Sequence, residues 1–228
     1  MNSVRLTEHH FARIGEQLPP VNESLLLDYV VASNATYARG RRPGLEVCMP
    51  VSFNLQPVRG LAQVASYAQW GYPKVPLLLV GTMLDVSRAA CAEKPTEALF
   101  HLSFSEDTSG CSGHPVCAAG WHLEWPEQRA TEDSVIALNA GAGTSVERAI
   151  IELHSHHNMR PDFSPSDNKD ESQGFRVYAV IGEIFTRPAI RARVGLFGHF
   201  WEYGASEFFE LPAELRDCNS EVSYAQSA

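Results

Sequence analysis

A metal site is predicted within one short stretch of the chain, which reads His154-Ser-His-His-Asn-Met-Arg-Pro-Asp-Phe-Ser-Pro-Ser-Asp167. On a strand, His154 and His156 lie two residues apart, so both imidazoles point to the same face. Asp167 follows eleven residues after His156. Two imidazoles and one carboxylate are three ligands, the number with which a catalytic zinc keeps a fourth position open for water. The stretch therefore predicts a zinc site suited to hydrolysis.

The residues around this stretch predict the elements that carry the ligands. Residues 149–156 are apolar and β-branched enough to form a strand. Ser164 is a good N-cap and Pro165 suits a first helical turn, so a helix is expected from there to about Gly174. Ser164 and Asp167 also fit a capping box. Capping does not exclude metal binding, because an acid in the first turn can reach a neighbouring strand.

The rest of the chain predicts an α/β protein with a β-rich N-terminal extension. Residues 1–22 are polar and predict a short helix or arm, whereas apolar residues that recur at helical spacing predict a helix over 76–92. Strands are predicted over residues 97–104, 120–125, 135–138, 176–184 and 191–203. We expect a β-rich extension of unknown role over 1–75, a catalytic domain over 76–212 and a polar tail over 213–228.

The composition narrows the function classes. The 228 residues include 18 Lys and Arg against 27 Asp and Glu, a net charge of −9 that argues against nonspecific binding to nucleic acid. No apolar run is long enough to suggest a membrane span, and the N-terminus lacks the apolar core of a signal peptide. We therefore expect a cytoplasmic protein with neither a nucleic-acid nor a membrane partner.

The cysteines do not predict a disulfide framework, because there are five of them at irregular spacing. One segment, Cys111-Ser-Gly-His-Pro-Val-Cys117, contains three candidate metal ligands in a turn-like context. It is either a second metal loop, a local disulfide or a loop whose thiols are incidental, and the last interpretation is the simplest.

Hydrolysis of a peptide bond also needs a base that takes a proton from water and returns it to the leaving amine. The candidates are Glu46, Glu97, Glu106 and Glu152. Glu152 is in phase with the two histidines on the predicted strand, which favours a supporting or solvated role rather than that of the base.

The ligand spacing resembles the signature of the JAMM (MPN-plus) metalloprotease family: a Glu at the start of a strand after an amphipathic helix, then His-x-His-Pro, then Ser-x-x-Asp. The resemblance covers roughly residues 76–203. It implies that Glu97, 57 residues before His154, is the base. It also implies that His154, His156 and Asp167 bind Zn2+ and that Ser164 stabilises the oxyanion. The implied fold is a JAMM/MPN-like (cytidine-deaminase-like) mixed, curved sheet flanked by helices.

Two features of this chain differ from the family pattern. His157 replaces the proline, which places a third imidazole beside the site for substrate binding or exposure to solvent. The strand after Glu97 lacks the usual Gly-Leu-Leu-x-Gly sequence, and Glu46, in Pro43-Gly-Leu-Glu-Val-Cys48, locally resembles the family's Glu motif. Glu46 therefore stays as the alternative base.

Within the family the chain looks most like the bacterial PRTRC A subfamily, on the His-Ser-His-His-x-Met run and on Gly198-His-Phe-Trp201. That resemblance implies an isopeptidase or processing protease that cleaves after the tail of a ubiquitin-like protein, in a system that includes an E1-like (ThiF-like) protein. The alternative is an inactive MPN-type scaffold that binds a ubiquitin-like partner. A deaminase is disfavoured, because its signature, His-x-Glu together with Pro-Cys-x-x-Cys, is absent.

Overall fold

The structure is a computed structural model, and it describes residues 6–106 and 116–219. The chain divides into two compact units. The first unit comprises the residues up to Tyr72 together with 170–175 and 195–201, and the second comprises Pro73–Lys169, Arg176–Val194 and the residues from Glu202 onward.

The first unit contains a five-stranded sheet. Its strands, in their order across the sheet, are β1 (Thr7–Phe11), β2 (Leu27–Val31), β3 (Ala35–Arg42), β4 (Leu45–Phe53) and β5 (Tyr67–Trp70). Of the two alternatives predicted for residues 1–22, the short helix is wrong at Thr7–Phe11, which form a strand that pairs with β2 in parallel. The polar sequence of β1 carries little strand signal of its own. Its conformation comes from hydrogen bonds to the neighbouring strand.

The remaining elements include a larger sheet and three α-helices. In chain order they are α1 (Leu77–Ala90), β6 (Leu99–Phe104), β7 (Val116–Ala118), β8 (Trp121–Glu124), β9 (Gln128–Ala130), β10 (Val135–Ala137), α2 (Ser145–Arg148), β11 (Ile151–Ser155), α3 (Pro165–Asp170), β12 (Phe175–Gly182), β13 (Ala189–Leu196), β14 (His199–Tyr203) and β15 (Arg216–Asp217). The eight-stranded sheet has the order β14-β13-β12-β11-β6-β8-β7, with β15 paired to β13. β9 and β10 form a separate antiparallel pair.

The eight-stranded sheet is mixed. β11 lies at its centre, parallel to β12 on one side and antiparallel to β6 on the other. Leu153 of β11 is fully buried, as are Phe100 and Ala179, which face it in the register of the two neighbours. The expected α/β class is confirmed, with strands predominating over helices. The centre of the sheet is thus the apolar support for the histidines at the end of β11.

The helix predicted over 76–92 is confirmed as α1, and its sequence explains its limits. Pro76 is the N-cap, and Leu79, Val80, Met83 and Leu84 form its buried apolar face. Among the described residues, no helix is long and apolar enough to cross a membrane.

The single strand predicted over 191–203 is wrong, because the chain forms two strands there, β13 and β14. They are joined by Phe197 and Gly198, whose φ angles are 45° and 88°. Positive φ at both turn residues is what a two-residue hairpin of the I′ type requires. The signal is weak in the sequence because phenylalanine, rather than Asn or Asp, occupies the first turn position.

Candidate metal centre

The two candidate ligands His154 and His156 lie where β11 ends. His154 is the fourth residue of the strand, and His156 follows its last residue, with its backbone N–H donating to the carbonyl of Ile181 at 2.7 Å. Both side chains are buried. Their Nε2 atoms are 3.2 Å apart, so the predicted arrangement of both imidazoles on one face is present. Burial lowers the pKa of His154, which leaves this imidazole neutral at pH 7.

Asp167 approaches the histidines from the first turn of α3. Its Oδ2 accepts a hydrogen bond from the backbone N–H of Ser164 at 2.6 Å, and the Ser164 Oγ accepts one from the backbone N–H of Asp167 at 3.2 Å. This is a reciprocal capping box. The other oxygen, Oδ1, lies 3.7 Å from His154 Nε2. One carboxylate therefore caps the helix with one oxygen and faces the imidazoles with the other.

The three side chains form a compact donor set. One ligand atom from each of His154, His156 and Asp167 lies within 4.8 Å of the others, and no other such group occurs among the described residues. Ligands about 2.0–2.1 Å from a tetrahedral zinc stand about 3.3 Å apart. The observed separations of 3.2 and 3.7 Å are close to that value. The cluster could thus hold a metal ion, and its N/N/O donors fit zinc.

Glu97 lies beside this cluster, two residues before β6. Its Oε1 is 3.7 Å from His156 Nε2, and only 4 % of the residue is exposed. Burial first, and then the negative charges of Asp167 and Asp133, together raise the pKa of Glu97 to about 8. A carboxyl group with such a pKa can both hold and release a proton near neutral pH.

A buried serine connects the segment just before β6, which contains Glu97, to the strand of the histidines. The Ser155 Oγ accepts a hydrogen bond from the Ala98 N–H at 3.0 Å, and the Ser155 N–H donates to the Ala98 carbonyl at 2.9 Å. Since Ala98 follows Glu97 directly, this pair of bonds fixes where the glutamate enters the site. Sequence reasoning missed Ser155, and its only signal was a small polar residue between two ligands.

Of the other three candidate bases, two have partners elsewhere and one is exposed. Glu46 belongs to β4 of the first unit, where it accepts a hydrogen bond from Tyr67 at 2.8 Å and lies 3.4 Å from Arg41. Glu106 is exposed just after β6. Glu152 is paired with Arg176 at 3.1 Å, and its pKa is lowered by His101 and Arg176 against the opposing effect of burial.

His157 does not extend the donor set. It is buried, its Nε2 donates to the Glu132 carbonyl at 2.8 Å, and its Nδ1 accepts from the Asn158 N–H at 2.8 Å. The expected role as a substrate-binding or solvent-facing imidazole is therefore wrong. Both ring nitrogens are used to hold the backbone that leaves the site.

Ser164 sits at the rim of the cluster, half-buried. Besides capping α3, its hydroxyl hydrogen-bonds the Ser166 hydroxyl at 2.8 Å. The proton of Ser164 can therefore be directed to Ser166 or to another acceptor without loss of the cap.

Two of the three candidate metal ligands in the Cys111–Cys117 segment, Cys111 and His114, lie outside the described residues. Cys117 belongs to β7, with its Sγ 3.3 Å from Nδ1 of His122 on β8.

No family model matches the sequence, and no curated protein is significantly similar to it.

Proposed function

We propose that this protein is a zinc-dependent isopeptidase or processing protease of the JAMM type. One observation carries the proposal: His154, His156 and Asp167 converge within 4.8 Å, with the buried Glu97 carboxylate 3.7 Å from one imidazole. Metal-assisted hydrolysis needs ligands that hold the metal ion and a nearby group that accepts and returns a proton, and a carboxyl group of raised pKa can do the latter.

In the proposed reaction, water attacks the carbonyl carbon of an amide bond. A zinc ion held by the two histidines and Asp167 would act as a Lewis acid and make that water acidic enough to react near neutral pH. Glu97 accepts the proton as the new C–O bond forms and gives it to the amine nitrogen as the C–N bond breaks. The products are a carboxylate and a free amine, and Glu97 returns to its starting state.

Ser164 is proposed to stabilise the oxygen of the scissile carbonyl as it gains negative charge. A donor placed there typically contributes about 3 kcal/mol. Its hydroxyl is available for this because the Ser166 hydroxyl, its partner at 2.8 Å, can rotate to serve as donor or acceptor.

The proposed substrate is the extended C-terminal tail of a ubiquitin-like protein, either in a conjugate or in a precursor. An extended tail can add to a sheet edge through main-chain hydrogen bonds, and its small residues suit the approach to a buried site. This substrate class, together with an E1-like partner, follows from the resemblance of residues 154–167 and 198–201 to the PRTRC A subfamily.

The decisive experiment measures the bound metal and the cleavage of a ubiquitin-like tail fusion, for the wild type, Glu97→Gln and Glu93→Gln. Glu93 is exposed in the turn after α1 and is the matched control for the loss of one carboxylate. We expect one zinc per chain in all three proteins and loss of cleavage in Glu97→Gln alone.

Each other outcome has a definite meaning. Normal cleavage by Glu97→Gln would place the base elsewhere, and the same assay on Glu46→Gln would then examine the alternative. Zinc binding together with tight association of the tail, but no cleavage by the wild type, would favour the inactive scaffold. Absence of bound metal in the wild type would overturn the proposal.

A further inference from the structure

Gly182, the last residue of β12, lies against backbone atoms. A Cβ added there would stand 2.5 Å from the Met159 carbonyl oxygen, 2.5 Å from the Pro161 nitrogen and 2.7 Å from the Arg160 carbonyl carbon. Its φ is not in the left-handed region, so the backbone conformation does not by itself demand glycine. The requirement at this position is therefore space, and a backbone cannot rotate away as a side chain can.

Residues 157–161, which pass close to Gly182, are hydrogen-bonded to the residues just after β12. The Glu183 N–H donates to the Met159 carbonyl at 2.8 Å, and the Ile184 N–H donates to the His157 carbonyl at 2.9 Å. Residues 157–161 therefore run beside the end of β12 at a fixed separation. That separation depends on the absence of a side chain at Gly182.

One carbonyl group of residues 157–161 accepts a hydrogen bond from the candidate metal ligand His156. His156 Nδ1 is 2.8 Å from the Arg160 carbonyl oxygen. A carbonyl oxygen only accepts hydrogen bonds, so Nδ1 carries the proton of the neutral ring. Nε2 is then the bare nitrogen, and it faces His154 Nε2 at 3.2 Å. This is the tautomer that a metal-binding His156 needs, since the hydrogen bond at one ring nitrogen determines which nitrogen can coordinate.

We propose that Gly182 is a positioning residue for metal binding: its missing side chain lets residues 159–161 approach β12 and so holds His156 in the tautomer that exposes Nε2. The inference rests on the proposed function for the identity of the cation. A methyl group at position 182 would have to displace the backbone near Met159 by about 0.5 Å to relieve the 2.5 Å contacts. The displacement would move the Arg160 carbonyl away from His156.

The test compares Gly182→Ala with two controls. Gly81→Ala is the matched glycine substitution, because a Cβ there meets nothing within 4 Å. Arg160→Ala removes an exposed side chain and keeps the carbonyl. Zinc affinity is measured by competition with a chromophoric chelator, and the tautomer of His156 by 15N NMR of the metal-free proteins. Gly182→Ala should bind zinc about 10- to 100-fold more weakly and show a mixed His156 tautomer, whereas both controls should match the wild type.

Two results would overturn the inference. The first is a Gly182→Ala protein with wild-type zinc affinity and an unchanged tautomer. The second is a wild-type, metal-free His156 whose proton is on Nε2, a measurement that decides the matter even if Gly182→Ala fails to fold. Failure of the proposed function can be told apart from failure of this inference. If zinc binds but no tail is cleaved, the zinc affinities of Gly182→Ala and the wild type still test the inference. If zinc does not bind, the His156 tautomers of the two proteins still test it.

Discussion

Replacing the buried acid Glu97 by glutamine should stabilise the metal-free protein, and the gain should grow with pH. The pKa of Glu97 rises from its ordinary value of 4.5 to about 8 in the folded state, first because of burial. Between these two values the folded state binds more protons than the unfolded state, so the free energy of unfolding falls as pH rises. Glutamine has no such proton to lose.

The size of the effect follows from the same two values. Each pH unit between them costs about 1.4 kcal/mol. At pH 5 the penalty is less than 1 kcal/mol, and at pH 7 it is about 3 kcal/mol. Hydrogen bonds made or missed by the glutamine amide add an offset that does not change with pH. The slope of the difference between Glu97→Gln and the wild type is therefore the quantity to measure.

Urea unfolding with a chelator present, followed by the fluorescence of the four tryptophans, gives this slope at pH 5, 6 and 7. Glu93→Gln, an exposed substitution, should differ from the wild type by less than about 0.5 kcal/mol at each pH. A Glu97→Gln difference that stays constant from pH 5 to pH 7 would refute the reasoning, because it would mean that the buried carboxyl group bears no ionisation penalty.

Two further substitutions test a proposed metal ligand and a residue that positions the site. Asp167→Asn keeps an oxygen that can cap α3 but loses the anionic ligand, so its zinc affinity, measured by calorimetry, should be more than about 10-fold lower than that of the wild type. Asp170→Asn is the exposed control and should bind zinc like the wild type. Equal zinc affinities of Asp167→Asn and the wild type would exclude Asp167 as a ligand. Ser155→Ala leaves the buried Ala98 N–H without its acceptor and should lower the free energy of unfolding by about 1–3 kcal/mol. Ser87→Ala, which removes a buried hydroxyl that only hydrogen-bonds a helix carbonyl, should cost clearly less, and equal losses would contradict the role assigned to Ser155.

Elements whose signals are local could be predicted from the sequence. The limits of α1 follow from Pro76 and its apolar face, and the reciprocal cap of α3 follows from Ser164 and Asp167. The turn at Phe197 and Gly198 was missed because its residues are not the usual ones for that geometry.

In the candidate site, too, the residues with a local sequence signal could be predicted and the others could not. Both histidines lie on one strand, so a spacing of two residues is enough to predict that they share a face. Glu97 lies 57 residues before His154, and only the resemblance to a family favoured it over the other candidate glutamates. The Arg160 carbonyl could not be predicted, because every residue has a carbonyl group and its role depends on where the loop lies.

The pairing of β11 with both neighbours limits how the gene can change in length. His154 is opposite Leu99 on one side and Val180 on the other. A codon inserted or deleted upstream within β11 would turn both imidazoles to the opposite face, because side chains alternate along a strand. Length variation between homologous genes should therefore be confined to segments that do not set this pairing, such as the turn between β8 and β9, while β11 keeps a constant number of residues.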